Sequence, residues 1–350
     1  MKKKMKAKCH PVEMDGSRGE GGGQVLRTSL SLAAVLGNRL RVTNVRAGRR
    51  KSGLLRQHLT CVKAIAAITN ADVRGAELGS TEVEVRPQGV AAGNYHFSVG
   101  SAGSTLLVLQ TVLPVLLFAD DVSSVTIEGG THNPFAPPFE VISHSFLPLL
   151  RSIGVKCTAE LVRPGYMPVG GGEIRVTIEP WTERKPLELL ERGEFVSRRA
   201  EILMSHLEPR IAQREVKQVV RTLGWQGREV RVVERSSSRS AGNVCLAFLE
   251  HENVTEVFSA LGSRGVRGKE VVRTLAADLE RYLATDAPVG EHLADQLLLP
   301  LALGAGGEFR AASPTLHTTT NAEVIGSFLP NQVELDEADG VTTVSVRGRD

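Results

Sequence analysis

The stretch VEMDGSRGEGGGQVLRTSLSLAAVLG, residues 12–37, decides the fold. A short strand with alternating apolar residues enters a turn with five glycines, and an apolar helix follows. The same order occurs in YHFSVGSAGSTLLVLQTVLPVLLFA, residues 95–119, and in PVGEHLADQLLLPLALGAG, residues 288–306. Each copy continues into a second strand, a second helix and a pair of strands. The chain is therefore predicted to contain three repeated β-α-β-α-β-β units.

The boundaries of the three units are predicted at 13–87, 94–180 and 288–348. Residues 181–287 interrupt the series with strands and helices of their own, which predicts a small inserted α/β domain. Residues 13–180 and 288–350 then form one large catalytic domain. If the helices cover one face of each sheet, the units can pack about a pseudo-threefold axis, where their turns converge. The fold class is α/β, of the α+β type.

Composition excludes several classes of protein. The four cysteines form no CxxC pair, so the sequence indicates neither a zinc site nor a disulfide framework, and a cytoplasmic location is expected. Residues 1–12 are interpreted as a flexible basic tail, because no apolar run follows MKKKMKAK. The longest apolar run, residues 106–119, is too short to span a membrane. The oligomeric state is left open, with a homodimer among the alternatives.

The first glycine-rich turn is the first candidate ligand site. Its backbone N–H groups and the following helix N-terminus can face an anion, although tight packing explains the glycines equally well. The turn is not a Walker A loop, because no G-K-[ST] follows, and it is not a GxGxxG fingerprint, because Gln24 stands where the third glycine belongs. Glu20 can hold a divalent cation or simply favour a helix start. Arg27 can reach the same anion or lie exposed without a ligand.

A basic segment and a polar helix position provide further candidates. RAGRRKSGLLRQH, residues 46–58, suits a polyanion, because arginine can bind two phosphate oxygens at once; a solvated face is the alternative. Gln110 interrupts an apolar helix and needs a partner, either a ligand or the backbone. Asp295 and Gln296 likewise interrupt the third apolar helix. His317 is placed in a Thr-rich turn, where nucleophile, ligand and structural roles all stay open.

Taken together, several motifs resemble those of the RNA 3'-terminal phosphate cyclase family in order and spacing. They are GEGGGQ, VRAGRR, GLLRQH, GSAGS, NPFAPP, HLADQLLLP and PTLHTTTN, and the match runs from Asp15 onward. The resemblance implies three units similar to the C-terminal domain of a translation initiation factor. It also implies ATP-dependent conversion of an RNA 3'-phosphate to a 2',3'-cyclic phosphodiester, through a histidine–AMP and then an RNA–adenylate intermediate. ATP, Mg²⁺ or Mn²⁺, and RNA with a 3'-phosphate end are the implied ligands.

The resemblance also assigns roles to individual residues. It makes His317 the nucleophile and Glu20 the metal ligand. The implied phosphate-binding residues are Arg27, Arg46 and Arg49. The implied nucleotide-binding residues are Gln57, Gln110, Pro137, His292, Leu293, Ala294, Asp295 and Gln296. His292 departs from the family, in which this position is commonly Tyr, although an imidazole can still stack on adenine.

Two other functions remain as alternatives. A non-catalytic, RNA-associated scaffold of ribosome assembly has the same architecture, but such proteins lack the histidine, and this chain retains His317. The enolpyruvate transferases use related repeated units without a covalent histidine adenylate. In the inserted segment, Arg198, Arg199, Arg210 and Arg214 are interpreted as a solvated face, with RNA contact as the alternative.

Overall fold

The computed structural model describes residues 11–349 of the chain. The basic tail is predicted at residues 1–12, and residues 1–10 of it lie outside the described residues. Val12 belongs to the first strand. Residues 11–349 form a mixed α/β fold with four sheets of four strands each. In this part of the chain, every helix is too short or too polar to cross a membrane.

The first sheet is built from residues 12–86. Its elements are β1 (Val12–Asp15), α1 (Gly23–Leu36), β2 (Leu40–Thr43), α2 (Arg56–Thr69), β3 (Asp72–Arg74) and β4 (Val83–Arg86). The strand order is β1-β2-β4-β3, with β1 parallel to β2 and the other pairs antiparallel. Gly37 ends α1 with φ 70°, a left-handed conformation that glycine adopts without a steric cost.

The second sheet repeats this strand order in residues 94–178. Its elements are β5 (Asn94–Ser98), α3 (Thr105–Leu116), β6 (Ser123–Gly129), α4 (Phe139–Val141), a π-helical turn (Ile142–Phe146), α5 (Leu147–Ser152), β7 (Cys157–Arg163) and β8 (Gly172–Ile178). The order is β5-β6-β8-β7. Ser104 fixes the start of α3, because its hydroxyl accepts from the N–H groups of Leu106 and Leu107 at 3.2 and 3.3 Å.

The chain then forms one short strand and a separate sheet. The elements are β9 (Leu187–Leu189), β10 (Phe195–Ser205), α6 (Pro209–Leu223), a 3₁₀ turn (Gly227–Glu229), β11 (Val230–Glu234), β12 (Gly242–His251), β13 (Thr255–Leu261) and α7 (Gly268–Leu283). The sheet order is β11-β10-β12-β13. One face packs against α6 and α7, and Phe248 on the other face lies in a buried cluster with Val141 of α4.

The third sheet of the series uses β9 together with the C-terminal residues. The later elements are α8 (Glu291–Leu303), β14 (Gly306–Ala312), α9 (Leu316–Phe328), β15 (Val333–Ala338) and β16 (Val341–Arg347). The order is β9-β14-β16-β15, so all three sheets place a first parallel strand at the edge and the fourth strand between the second and third.

The first strand of this third sheet is interrupted. Leu187 and Leu189 pair with Gly307 and Phe309 of β14, and Val289 pairs with Ala311 of the same strand. The sheet formed by β10 to β13 lies between these two pieces of chain. The sequence prediction differs here, because it placed residues 187–189 in the inserted domain; local patterning could not identify a partner more than 100 residues away.

Helices from the three sheets meet in one hydrophobic core. Helix α1 packs on α3 and α9, and α8 also packs on α3 and α9. The core cluster contains fully buried residues from these helices, such as Leu30 of α1, Leu106 of α3 and Leu298 of α8. Burial of a leucine side chain stabilises the fold by about 1.5–3 kcal/mol. This packing brings the beginnings of α1, α8 and α9 together.

Glu256 of β13 connects the separate sheet to α8. Its carboxylate accepts from the N–H of Gly290, the N-cap of α8, at 2.6 Å, and the residue is only 5% exposed. Burial raises the pKa of Glu256 to about 7, and the nearby charge of Arg192 opposes the rise. A buried acid with a raised pKa favours folding while protonated, and this contribution is lost as the pH rises from about 4.5 to about 7.

We therefore expect the stability difference between Glu256→Gln and the wild type to depend on pH. Glutamine resembles the protonated acid, so the melting temperature of the variant relative to wild type should rise by about 3 °C or more between pH 5 and pH 8. Thermal melts at four pH values measure this difference. Glu252→Gln, on an exposed residue of the turn between β12 and β13, is the control. A pH-independent difference would contradict the prediction.

Candidate active site

His317 lies in the first turn of helix α9. The sequence predicted a Thr-rich turn at this position, which is wrong: Thr315 is the N-cap of α9, and its hydroxyl accepts from the N–H of Thr318 at 3.2 Å. The side chain of His317 is 51% exposed, so its ring is accessible to a ligand. The positive end of the α9 dipole adjoins the ring, which favours an anion there.

The Nδ1 atom of His317 has two oxygen partners from the glycine-rich turn and α1. Gln24 Oε1 lies at 2.8 Å and Glu20 Oε2 at 3.1 Å. A carboxylate and an amide oxygen can only accept, so Nδ1 carries the hydrogen and donates it. The lone pair of the neutral ring is therefore on Nε2. This arrangement fixes the tautomer that a nucleophilic or basic histidine needs.

The orientation of the Gln24 amide is itself fixed by Asp295. Gln24 Nε2 donates to Asp295 Oδ2 at 3.0 Å, which leaves Oε1 for His317. Burial raises the pKa of Asp295 to about 7, opposed by the positive charge of Arg27 and by the Gln24 hydrogen bond. Asp295 is thus joined to His317 through one amide.

We call the hydrogen-bonded series His317–Gln24–Asp295 the relay. Asn321 joins the three helices that carry the relay. Its Nδ2 donates to the backbone oxygen of Asp295 at 2.7 Å, and its Oδ1 accepts from the Thr28 hydroxyl at 2.8 Å. Asn321 is 3% exposed, and residues of α1 and α8 supply both of these hydrogen-bond partners. The relay is therefore held by side chains from α1, α8 and α9 together.

Positive charge surrounds the histidine on several sides. Arg49 Nη2 donates to Glu20 Oε2 at 2.5 Å, and Arg27 is largely buried, which lowers its pKa. Partial burial lowers the pKa of His317, as do the charges of Arg27, Arg49 and His292, while Glu20 acts in the opposite direction. His317 is consequently neutral at neutral pH.

The glycines of the first turn are required by close packing at this site. Gly19 has φ 55°, and a Cβ there would lie 2.0 Å from the Thr320 hydroxyl oxygen. A Cβ on Gly23 would lie 2.4 Å from His58 Nε2 and 2.8 Å from Arg27 Nη1. Tight packing and ligand binding were alternatives in the sequence. The structure shows the tight packing, and ligand binding by this turn stays a prediction.

A cavity of about 50 Å³ adjoins the relay. Its polar lining contains four residues predicted from the sequence, namely Arg27, Gln110, Asp295 and Gln296. Gln24 and Asn321 line it as well, and sequence reasoning missed both as site residues. The one signal for Gln24 was its place in the glycine-rich turn, and Asn321 carried no signal beyond its position near His317.

Several predicted nucleotide-binding residues lie elsewhere. Leu293 and Ala294 are 1% and 2% exposed in the hydrophobic core, so only their backbone atoms are placed to reach a ligand. An α-helix turns its apolar positions to the core and its polar neighbours outward. His292 is exposed at the start of α8, and Pro137 is half-buried in the loop before α4, outside the 50 Å³ cavity.

Gln57 lies at the start of α2, beside a second cavity. Its Oε1 accepts from the Ser104 N–H at 2.6 Å, which joins α2 to the turn before α3. The second cavity is lined by Gln57, His58, Ser101 and Gly103 among others. Burial and nearby arginines lower the pKa of His58 to about 3. His58, which follows Gln57 and lies near Arg27, is therefore uncharged at neutral pH.

Arg46 makes a different contact from the one predicted. It is buried, with φ 58°, and its Nη1 donates to the carbonyl oxygens of Lys51 and Gly53 at 2.6 and 2.9 Å. This nitrogen is therefore used within its own loop, and the contact of Arg46 with phosphate stays a prediction. A side chain that satisfies buried carbonyls of its own loop stabilises the loop that presents Arg49.

The fold and the site define a mixed α/β protein with an accessible histidine whose tautomer is fixed and which lies among arginines. Comparison with known proteins gives the family. A model of the family described as RNA 3'-terminal phosphate cyclase matches residues 18–335. An RNA 3'-terminal phosphate cyclase of Koribacter versatilis (strain Ellin345) is 45% identical over 339 residues, which cover 97% of this chain and 96% of the relative. The chain belongs to the RNA 3'-terminal phosphate cyclase family.

Family membership confirms the predicted resemblance and the prediction of an enzyme. Among solved structures, the enolpyruvyl transferase NikO from Streptomyces tendae is similar with a TM-score of 0.38 and 11% identity, covering 97% of this chain and 48% of that one. That likeness is too weak to support an argument about function.

Proposed function

We propose that the protein uses ATP to convert an RNA 3'-terminal phosphate into a 2',3'-cyclic phosphodiester. The observation that carries the proposal is the geometry of His317, whose Nδ1 donates to Gln24 and Glu20 and whose Nε2 is left with a lone pair. Family membership supports an RNA 3'-phosphate as substrate. The alternative of a non-catalytic scaffold gives no reason for a fixed tautomer on an accessible ring.

In the first step, His317 Nε2 attacks the α-phosphorus of ATP and pyrophosphate leaves. The histidine becomes covalently joined to AMP through a P–N bond. The lowered pKa of His317 supports this role, because the attacking ring is already neutral at neutral pH. Arg27, Arg49 and the N-terminus of α9 stabilise the negative charge that develops on the phosphate oxygens.

Two transfers complete the reaction. The RNA 3'-phosphate attacks the adenylate on His317, which forms RNA-(3')pp(5')A and frees the histidine. The adjacent 2'-hydroxyl then attacks the activated 3'-phosphorus in-line, and AMP leaves as the cyclic ester forms. Because the hydroxyl and the phosphorus are on the same ribose, proximity accelerates the last step.

The polar cavity beside the relay supports an adenosine site. Gln296 Oε1 is buried and has no hydrogen-bond partner within residues 11–349, so it can accept from an amino group such as that of adenine. Gln110 and Asp295 line the same cavity. His292 and Pro137 are proposed to flank the base, and Gln57 to contact the nucleotide from α2. Leu293 and Ala294 contribute through their backbone.

The residues present fit a divalent cation held mainly by substrate. Within residues 11–349, no group of three or more His, Cys, Asp or Glu side chains could hold a metal ion alone. Mg²⁺ commonly binds through one or two carboxylates and substrate phosphates, and Glu20 supplies one carboxylate beside His317. Bound Mg²⁺ or Mn²⁺ would neutralise phosphate charge.

We also propose that the three like-ordered sheets form one catalytic domain with pseudo-threefold arrangement and that β10 to α7 form an inserted domain. The shared strand order and the common core of α1, α3, α8 and α9 support this arrangement. A cytoplasmic location is supported by the free, buried thiols of Cys61, Cys157 and Cys245. A homodimer remains an alternative for size measurements to decide.

The test is transfer of label from ATP to protein and then to product. Wild type incubated with ATP labelled at the α-phosphorus and Mg²⁺ or Mn²⁺ should retain acid-labile, alkali-stable label on a denaturing gel, as expected for a P–N bond. Added RNA with a labelled 3'-phosphate should become resistant to phosphatase. Absence of both products, from folded protein that binds ATP or RNA, would leave the scaffold alternative.

A further inference from the structure

Phe135 is the most exposed large apolar side chain among the described residues, with a relative exposure of 101%. It also has φ 63°, a left-handed conformation that is unfavourable for a bulky side chain. Such a conformation persists only where the surrounding structure imposes it. The surrounding sequence, NPFAPP at 133–138, contains three prolines that restrict the backbone.

The loop that carries Phe135 is tied to the core on both sides. The N–H groups of Thr131 and His132 donate to the Gly165 carbonyl at 2.9 and 3.2 Å. His132 Nε2 contacts Glu140 at 2.9 Å, and Asn133 Nδ2 donates to the Ala102 carbonyl. The aromatic ring is therefore held in solvent by a fixed loop.

A neighbouring loop adds exposed apolar side chains. His132 pairs with Tyr166, and the two rings stack with centroids 5.4 Å apart. The next residues of that loop include Met167 and Val169, which are 55% and 60% exposed. Phe135, Met167 and Val169 thus lie on two adjoining loops on one side of the molecule.

The serine-rich segment 236–243 brings arginines to the same loops. Ser240 Oγ accepts from the Tyr166 N–H at 2.9 Å and donates to the Gly170 carbonyl at 3.1 Å. Arg239 lies against Gly171, where a Cβ would be 3.1 Å from the Cβ of Arg239. Local composition indicated a turn but could not indicate this partner.

The arginines near these loops are not the ones that the sequence indicated for RNA contact. Arg198, Arg199 and Arg210 are each paired with a glutamate, which reduces their attraction for phosphate. Arg235 and Arg239 are exposed and form no ion pair within residues 11–349. We name the surface formed by Phe135, Met167, Val169, Arg235 and Arg239 the aromatic–arginine surface.

A chain of contacts connects the loop that carries Phe135 to the candidate active site. Ala102, which binds the Phe135 loop, lies in the turn 101–104, and Ser104 of that turn bonds Gln57 of α2. The next residue, His58, contacts Gly23 and is close to Arg27. The loop that carries Phe135 is therefore connected to the candidate active site through the turn before α3.

We propose that the aromatic–arginine surface binds the RNA strand upstream of its 3'-phosphate. A nucleobase stacks on Phe135, and Arg235 and Arg239 contact backbone phosphates. Unpaired bases stack readily on exposed aromatic rings, and arginine binds phosphate with little dependence on sequence. An exposed apolar surface with unpaired cations fits single-stranded RNA better than it fits an apolar protein face. This inference rests on the proposed function for the identity of the bound strand.

The experiment compares Phe135→Ala, Phe135→Trp and Arg239→Ala with wild type. For a 12-nucleotide RNA bearing a 3'-phosphate, Phe135→Ala should raise Kd about tenfold, and Arg239→Ala should weaken binding more at low salt than at high salt. Phe135→Trp should retain affinity, and its fluorescence should be quenched by RNA. A nucleoside 3'-phosphate has no upstream strand and should bind all variants equally.

Self-adenylylation without RNA separates this inference from the proposed function. Val122→Ala, on another exposed apolar residue, is the matched control. Unchanged binding of the 12-nucleotide RNA by Phe135→Ala would overturn the inference, as would a loss of self-adenylylation, which would place Phe135 against ATP. RNA binding that depends on Phe135 in a protein without self-adenylylation would support the surface and reject the proposed mechanism.

Discussion

His317→Ala is expected to reduce transfer of AMP from ATP to the protein by more than about a thousandfold. The substitution removes the Nε2 lone pair, which the contacts of Nδ1 with Glu20 and Gln24 leave available for attack. Labelled ATP and a denaturing gel measure the loss. Cyclisation of RNA 3'-phosphate should disappear in parallel, because it requires the adenylate.

The control for His317→Ala is His96→Ala, on a side chain that is 60% exposed on β5. Both variants should bind ATP, which a filter-binding assay measures. Equal labelling of His317→Ala and wild type would show that another residue is the nucleophile. Loss of label in both variants would instead indicate a general effect of losing a surface histidine.

Arg27→Met is expected to reduce the rate of self-adenylylation by about 10²- to 10³-fold. Arg27 lies close enough to Glu20, Asp295 and His317 for its charge to act on each of them. Without it, Asp295 loses a favourable neighbour, and the developing phosphate charge loses a donor. Single-turnover rates at saturating ATP measure the effect.

Arg27→Lys should recover only part of this rate, because an ammonium keeps the charge and loses the planar fork. The matched control is Arg41→Met, since Arg41 is an exposed arginine of the first sheet that pairs with Glu82. A rate for Arg27→Met within twofold of wild type would mean that Arg27 has only a packing role beside Gly23.

Much of the fold could be predicted because its signals are local. The glycine-rich turns, the apolar helices and the alternating strands each depend on neighbouring residues, and the observed elements follow them. The start of α9 was missed because HTTTN is rich in threonine, which has low helix propensity; the Thr315 cap compensates for this. Strand β13 was missed as well.

Sequence motifs identified individual residues of the site, but they did not predict the hydrogen bonds that connect these residues. His317, Glu20 and Arg49 do meet, but the residue that joins His317 to Asp295 is Gln24, nearly 300 positions away in the chain. The hydrogen bonds of Arg46 to Lys51 and Gly53 could not be predicted either, because sequence does not show which carbonyls a guanidinium will satisfy. Such pairings depend on tertiary packing.

The interrupted edge strand of the third sheet makes the segment between its two pieces replaceable. Leu189 and Val289 lie opposite Phe309 and Ala311, two positions apart on one continuous strand. Two strand residues span about 6.6 Å, so a single residue could rejoin the edge in register. Residues 190–288 therefore leave the edge of the third sheet and return to it at neighbouring positions. A gene could gain, lose or exchange this segment without altering the pairing of Leu189 and Val289 with β14.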